Sequence, residues 1–354
     1  MNAKLSAEGS EWTFPAAEAP DGAPQLPVWT ESFVAREGTE VFGGYLFKHQ
    51  RFFLKGRELE VGNLTLPLSL GDIDNSYAHV SVALLFDVRQ RSPYCYALGL
   101  GAEDTKMANL LTAAGWQHLS VPFRFSVKSA NPFARNIVLP AEKRLLQNGL
   151  RVLGGLRLAG LALRFRELLR SRGRAAKSAV RDGASAREIP EFESFADDLF
   201  AAHSASYSLI GDRGAAALNI LFPKPEQKYL RLVVERGERI IGWAVVLDTR
   251  MEDDKYFGNM RVGTLVDCFA APQDVRTVVS VVDAVLTRRG VDLVVSNQLH
   301  ATWNEALAAS GYEEGPSNFF LYFSGDLAEQ LGGILDWSRD AHMNRGDGEG
   351  PGNL

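Results

Sequence analysis

The run VGTLVDCFA, Val262 to Ala270, is apolar but for one central carboxylate, Asp267, and it breaks at Ala271-Pro272. Such a run, bounded by a turn signal, predicts a buried strand. Val275, Val278, Val279, Val282, Val285 and Leu286 then recur at the spacing of one helix face, and Gly290 lies just past the last of them. A helix with a single buried face, stopped by that glycine, follows. VDLVVSNQ predicts a short second strand, His300 to Ser310 a second helix ending in Gly311-Tyr312, and SNFFLYFS an aromatic-rich closing strand.

The same succession occurs earlier in the chain. Val61-Gly62-Asn63-Leu64 is echoed by Val262-Gly263-Thr264-Leu265, an offset of 201 (262 against 61). Ala113-Ala114-Gly115-Trp116 is echoed by Ala309-Ser310-Gly311-Tyr312, an offset of 196 (311 against 115). GGYLFKHQRFFLKG, Gly43 to Gly56, reads as two short strands around a basic turn. ELEVGNLTLPLSL, Glu58 to Leu70, reads as a longer strand whose Pro67 marks an edge or a bulge. A helix from Asn75 or Ser76 to about Arg91, the strand YCYALGLG, a helix ending at Gly115-Trp116 and the strand PFRFSV complete the first copy. Two copies of one strand-and-helix unit predict tandem domains and not a solenoid. Their expected bounds are 28–132 and 186–330. A mobile leader is expected over 1–27 and a C-terminal helix with a glycine-rich tail over 331–354.

In the second copy FADDLFAAHSASYSLIGDRGAAALNILF, Phe195 to Phe222, is a helical pattern interrupted near Gly211. YLRLVVERGERIIGWAVVLDTR is a hairpin around Arg236 to Glu238.

Composition narrows the function classes. A chain of 354 residues suits two domains, and a net charge of −5 argues against general nucleic-acid binding. Two cysteines far apart, Cys95 and Cys268, suggest no disulfide framework and a reducing, cytoplasmic setting. The charge is uneven, however. Residues 133–185 hold twelve Lys or Arg and three acids, so this bridge carries +9. Its leucines alternate with arginines, which suits a basic amphipathic helix lying on an anionic membrane surface, peripheral at the inner face. A long inter-domain helix with its arginines paired is the competing reading. No metal-ligand spacing, Ser-His-Asp arrangement or phosphate-binding loop occurs.

The order of elements from VGTLVDCFA to SNFFLYFS, with a helix ending in Gly-Tyr, resembles the second half of the GNAT acyltransferase fold. The doubled arrangement is similar to the Fem aminoacyl transferases. The stretches VGNLTLPLSLG and NRGDGEGPGNL resemble tandem GNAT-like proteins of bacterial polysaccharide clusters. The resemblance implies an α/β (α+β) chain of two tandem GNAT-like domains joined by the basic bridge. It also implies acyl transfer from a thioester, acyl-CoA or an acyl carrier protein, to an amine, including an amino sugar of a surface glycan. Two features depart from the family. The turns Gly71-Asp72-Ile73-Asp74-Asn75 and Ala271-Pro272-Gln273-Asp274-Val275-Arg276 lack the Gln/Arg-x-x-Gly-x-Gly/Ala pattern. Their acids read as helix caps. The family's tyrosine before the Gly-aromatic pair is replaced by Leu111 and Leu307.

Candidate chemistry concentrates in the second copy. Asp267 is a carboxylate within a buried strand, expensive unless paired or functional, and is the candidate general base against a structural alternative. His300 is the second catalytic candidate, to orient or deprotonate an amine, or else to cap its helix. Asn297 and Gln298 beside it, with Ser206, Tyr207, Asp212 and Arg213 around the break in the preceding helix, are candidate substrate contacts. The tail Asn344 to Pro351 is either a disordered end or a loop folded back over a site. A non-catalytic scaffold and an N-acyl amino acid synthase served by a carrier protein are the alternatives to an amine acyltransferase. The membrane reading of residues 133–185 predicts that the chain floats with phosphatidylserine liposomes and not with neutral ones, and that salt weakens the association; a packed helix leaves both fractions empty.

Overall fold

Three strands settle in sheets that their neighbours in the sequence do not join. The computed structural model describes residues 1–7, 14, 25–100, 105–137, 183–224, 228–332 and 337–348. The first part runs α1 (Asn2–Ala7), β1 (Val28–Glu37), β2 (Glu40–Leu54), β3 (Arg57–Ser69), α2 (Ala78–Arg91), β4 (Cys95–Leu98), α3 (Lys106–Ala113), β5 (Gln117–Ser120), β6 (Phe123–Val127) and α4 (Ala130–Asn136). After the bridge come β7 (Ala184–Ile189), α5 (Ser194–His203), β8 (Leu209–Gly211), α6 (Ala215–Leu221), β9 (Leu230–Arg236), β10 (Arg239–Arg250) and β11 (Arg261–Ala270). The rest is α7 (Val275–Arg288), β12 (Leu293–Asn297), α8 (Ala301–Ala309), β13 (Glu313–Gly315), β14 (Phe320–Phe323) and α9 (Gly325–Leu331).

The chain forms two compact units. One comprises Met1–Val121, Ser204–Leu221 and Ser317–Gly350; the other comprises Pro122–His203, Phe222–Pro316 and Pro351–Leu354. The first sheet has the order β1-β2-β3-β4-β14-β5, with β8 also on β2. The second has the order β9-β10-β11-β12-β6-β13, with β7 outside β9. Strand for strand the two orders correspond, and in each the third and fourth strands are parallel. The strands that differ from the expected bounds 28–132 and 186–330 are β6, β14 and the short β8, which pairs with β2. β6 pairs with β12 from Leu293↔Val127 to Asn297↔Phe123, and β14 pairs with both β4 and β5. Each is a short run of alternating character whose pattern specifies a strand but not a partner.

Close backbone approach explains the repeated glycines. A Cβ on Gly62 of β3 would lie 1.8 Å from Phe47 Cζ, and one on Gly263 of β11 would lie 3.1 Å from Leu286 of α7. α7 buries Val275, Val278, Val279, Val282 and Leu286, the face read from the sequence. Asp248 ties its sheet to the end of α7: Arg261 Nε and Arg289 Nε each donate to it at 2.7 Å. Burial acts to raise this carboxyl, but the hydrogen bonds from Arg261 and Arg289 outweigh it and hold the group below its usual range. In the same unit Lys128, just past β6, reaches Asp283 of α7 at 2.6 Å, and Tyr312 OH donates to Asp283 at 2.8 Å. The strand β6 is thus pinned to the helix beside it.

Several local expectations are corrected. Gly43 to Leu54 is not two strands around a turn but part of the continuous β2, with Lys55-Gly56 the turn into β3, because Lys48, His49 and Arg51 all find partners. The break in the Phe195–Phe222 pattern contains β8, which pairs with Phe52 to Leu54. Within the leader, Leu5 and Phe14 are buried, and Asn2 exchanges side-chain hydrogen bonds with the Phe14 backbone. Pro67 does sit at a bulge: Gly44 opposes Leu68 while Leu46 opposes Thr65, and Leu66 between them has φ 45°. Of the helix expected before the tail, residues 333–336 lie outside the described part and Trp337 and Ser338 are helical, while α9 is a further helix ahead of it. Residues 138–182, nearly all of the basic bridge, also lie outside it. No helix among the described residues is long and apolar enough to cross a membrane.

Phe47 is fully buried against the α2 side of its sheet, so its ring has nowhere to yield. Gly62→Ala is therefore expected to cost about 1–3 kcal/mol in urea unfolding, and Phe47→Leu in the same chain to return most of it.

Candidate functional site

Where a parallel strand pair comes apart, the freed backbone and the wedge between the strands must be satisfied by something else. In the second unit β11 and β12 pair only from Val262↔Leu293 to Leu265↔Ser296. At that point β11 bulges: Val245 of β10 opposes Asp267, while Val246 opposes Leu265, leaving Val266 extra. A bulge re-aims the residues that follow it, here Asp267 and Cys268, both fully buried.

Asp267 Oδ1 accepts from the Cys268 N–H at 2.8 Å. Across the parting strands, Gln298 Nε2 lies 3.7 Å from Cys268 Sγ and 3.3 Å from Ser296 Oγ, and Ser296 Oγ is 3.4 Å from the Leu265 carbonyl. The Gln298 carbonyl accepts from Asn304 Nδ2 at 2.6 Å, and its N–H donates to Pro122 O at 3.3 Å. Gln298 is thereby fixed from both ends over Cys268. Asn297 turns elsewhere, with Nδ2 3.5 Å from Pro122 O. His300 is the N-cap of α8, its Nδ1 accepting from Thr302 N–H at 3.1 Å. An accepting Nδ1 in a neutral ring leaves the proton on Nε2.

The other candidates belong to the first unit. Tyr207 is buried with its ring edge-on to His342 at 5.1 Å, and Ser206 ends a short 3-10 turn. Asp212 is a hub at the end of β8: Oδ1 takes the Gly214 N–H at 2.8 Å and Oδ2 takes Arg51 Nη2 at 2.6 Å. Arg213, fully buried, donates to Asp347 Oδ1 at 2.5 Å. Thus Gln298 meets Cys268, the chain neighbour of Asp267, whereas Ser206, Tyr207, Asp212 and Arg213 lie in the other unit.

Asp347 shows the fate of the glycine-rich tail, whose described part, Asn344 to Gly348, is folded back and buried. Its turn is closed by a capping box, with Asn344 N–H donating to Asp347 Oδ2 at 3.0 Å and Gly346 N–H to Asn344 Oδ1 at 2.9 Å. Beneath it Lys48 of β2, Asn63 of β3 and Tyr96 of β4 stand side by side, since Lys48 pairs with Asn63 and Asn63 with Tyr96. All three donate to the Asp347 carbonyl, at 3.0, 3.0 and 2.7 Å. Burial first, and then the Asp347 carboxylate, raise the Tyr96 phenol well above its ordinary range, so it stays a donor. Burial also pushes the Arg345 guanidinium down to about 10, and that group lies 5.4 Å from the centre of the Phe319 ring. Gln50, Asn63, Tyr96 and Asp347 had no local signal as a group. The only hint was a fixed acid and arginine within a glycine-rich tail.

The helix starts beside the two parting strands do not suit a diphosphate. Asp72 caps the 3-10 turn before α2, taking the Ser69 N–H at 2.9 Å, and Asp74 takes the Ser76 N–H at 2.9 Å. At α7, Asp274 is held by Arg236 Nη1 at 2.9 Å, with Arg236 Nη2 on Thr277. Asp72 and Asp74 take N–H groups of the turns leading into α2, and Asp274, which makes no side-chain cap bond, sets a carboxylate at the start of α7, so each helix start already carries negative charge where the dipole favours an anion. Below β3, Leu64, Leu68, Leu84, Leu85 and Met107 line a cavity of about 10 Å³, room for a water and not for an acyl chain. No group of three His, Cys, Asp or Glu among the described residues is placed to hold a metal ion.

No protein-family model matches the sequence, and no curated protein matches it. Among solved structures, a conserved protein of unknown function from Enterococcus faecalis V583, a probable N-acyltransferase, is similar with a TM-score of 0.50 at 7% identity, covering 84% of this chain and 63% of that one. A GCN5-related N-acetyltransferase from Anabaena variabilis gives 0.49 at 9% identity, over 82% of this chain and 62% of that one. Saccharomyces cerevisiae N-myristoyltransferase with bound myristoyl-CoA gives 0.46 at 10% identity, over 80% and 63%. The chain spans less than two thirds of each of these three. Its mixed α/β architecture is a GNAT-like acyltransferase fold.

Removing one partner of a buried ion pair strands the other charge. Arg213→Met and Asp347→Leu are each expected to cost about 3–5 kcal/mol in urea unfolding, and the double variant much less than their sum.

Proposed function

We propose that this chain is an N-acyltransferase whose reaction centre is the parting of β11 and β12, with Asp267 as general base toward an amine acceptor. The observation that carries this reading is a fully buried carboxylate directly after a bulge, at the point where a parallel pair ends. In the transfer, the amine nitrogen attacks the acyl carbon, the C–N bond forms, and the C–S bond breaks with its electron pair leaving on sulfur. The proton lost by nitrogen passes to Asp267, a step worth about 10²–10⁴ in rate. Gln298 and His300 contribute N–H donors that orient the acceptor.

The acyl donor is assigned as a thioester only. The residues at both helix starts do not fit the diphosphate of acyl-CoA in the family manner, so no step is drawn through that group. An amino sugar of a surface glycan is the proposed acceptor, supported by the likeness of VGNLTLPLSLG and NRGDGEGPGNL to tandem proteins of polysaccharide clusters. A peripheral seat on an anionic membrane is proposed for residues 133–185 on their charge of +9. The capped helix starts and the leucines at 111 and 307, both fully buried, favour a second reading, a binding module that retains the fold without turnover.

Incubation with short- and long-chain acyl-CoA and glucosamine, read by mass spectrometry of the amide, separates the two. Turnover is expected in the native chain, and Asp267→Asn should lower it by about 10²–10⁴ with an unchanged unfolding midpoint. Near-native turnover in that variant makes Asp267 structural, and no amide with any donor leaves the binding module.

A further inference from the structure

The polar row beneath Asn344 to Gly348 is not matched by what covers it. A carbonyl oxygen has two lone pairs, yet Lys48 Nζ, Asn63 Nδ2 and Tyr96 OH all converge on that of Asp347. Two acceptors in the same place go unmet. Gln50 Oε1 and Asn63 Oδ1 are buried and have no hydrogen-bond partner among the described residues. Their orientation is not arbitrary, because each amide nitrogen faces a carbonyl: Gln50 Nε2 lies 3.3 Å from Asp212 O and Asn63 Nδ2 lies 3.0 Å from Asp347 O. Gln50 and Asn63 share a face of the sheet with Lys48 and Tyr96, by strand alternation and register.

We infer that this face of β2, β3 and β4 is a binding site for a neutral polyhydroxyl ligand, a sugar, and that Asn344 to Gly348 is a strap closing it. The chemistry of the ligand follows by exclusion. Arg213 and Asp347 neutralise each other while Lys48 keeps its charge on this face, so an ammonium group is repelled. A carboxylate or a fully ionised phosphate ester carries no proton for Gln50 Oε1 and Asn63 Oδ1, and its charge would face both amide oxygens. A hydroxyl both donates and accepts, so adjacent hydroxyls satisfy the two amide oxygens while relieving the crowded donors. Buried acceptors gain from such a match what they lose while unpaired.

The site lies in the first unit and is read by binding alone, so its failure is distinguishable from failure of acyl transfer at Asp267. The test uses the full chain with methyl glucoside, with ethylammonium and inorganic phosphate as charged probes. Calorimetry measures affinity, and amide hydrogen exchange follows residues 344–348. Methyl glucoside is expected to bind and to raise exchange in 344–348, and the charged probes to do neither. Gln50→Met should weaken the sugar about 3- to 10-fold without lowering the melting temperature. The inference is overturned if no sugar binds or moves the exchange, or if a charged probe binds in its place. It is equally overturned if Gln50→Met melts higher while the response to sugar is unchanged, because the amide oxygens then hold only water.

Discussion

A parallel strand pair that stops pairing partway is the constraint on which both units turn. β3 and β4 share only Gly62↔Cys95 and Asn63↔Tyr96, and β11 and β12 separate after Leu265↔Ser296. In each case the outgoing strand bulges immediately afterwards, at Leu66-Pro67 or at Val266. The bulge keeps the antiparallel neighbour in register while the parallel neighbour is released. What fills the opening then differs. In the second unit it is short-range, built by Gln298, Ser296 and Cys268. The first unit brings residues from far along the chain, Arg213 and Asp347, to the face of its row of donors.

This difference also marks how far the chain could be read without coordinates. Most strands and helices of both copies follow from local signals, the continuous β2 and the short β8 excepted. VGNL and VGTL do mark equivalent strands, because a glycine there admits Phe47 in one unit and Leu286 in the other. The bulge at Pro67 follows from the missing donor of proline. Sheet membership of β6 and β14 was not legible, since alternation says which residues share a face and nothing about which strand lies alongside. The grouping of Asp347 with Asn63 spans 284 positions, and no spacing rule reaches that far. KHQR in β2 looked like a turn because charge in a strand is costly; the carbonyls and carboxylates that neutralise it arrive from Glu31, Asp212 and Asp347. His300 was weighed as base or cap, and its bond to Thr302 N–H shows the capping geometry.

Electrostatics at the helix starts separates this chain's use of the fold from anion recognition. A helix start attracts negative charge through its dipole and its free N–H groups. Here Asp72 and Asp74 satisfy N–H groups before α2, and at α7 the Asp274 carboxylate is further bound to Arg236. An incoming diphosphate meets carboxylates that are local, covalently tethered and already hydrogen-bonded. A diphosphate-bearing ligand would therefore have to be held by surfaces other than the two helix starts.

The exchange of β6 and β14 also sets an order on how the protein is made. A nascent chain that has just released β5 from the ribosome holds only part of its first sheet, because the strand that belongs between β4 and β5 is residues Phe320–Phe323. Meanwhile β6 waits for β12, which follows some 170 residues later (297 against 123). Neither sheet closes until nearly the whole chain is synthesised, so folding is dominated by distant contacts, the kind that form slowly. Until then β4 and β5 present open strand edges to any other chain, and a translating ribosome carries one half-built sheet while it makes the other.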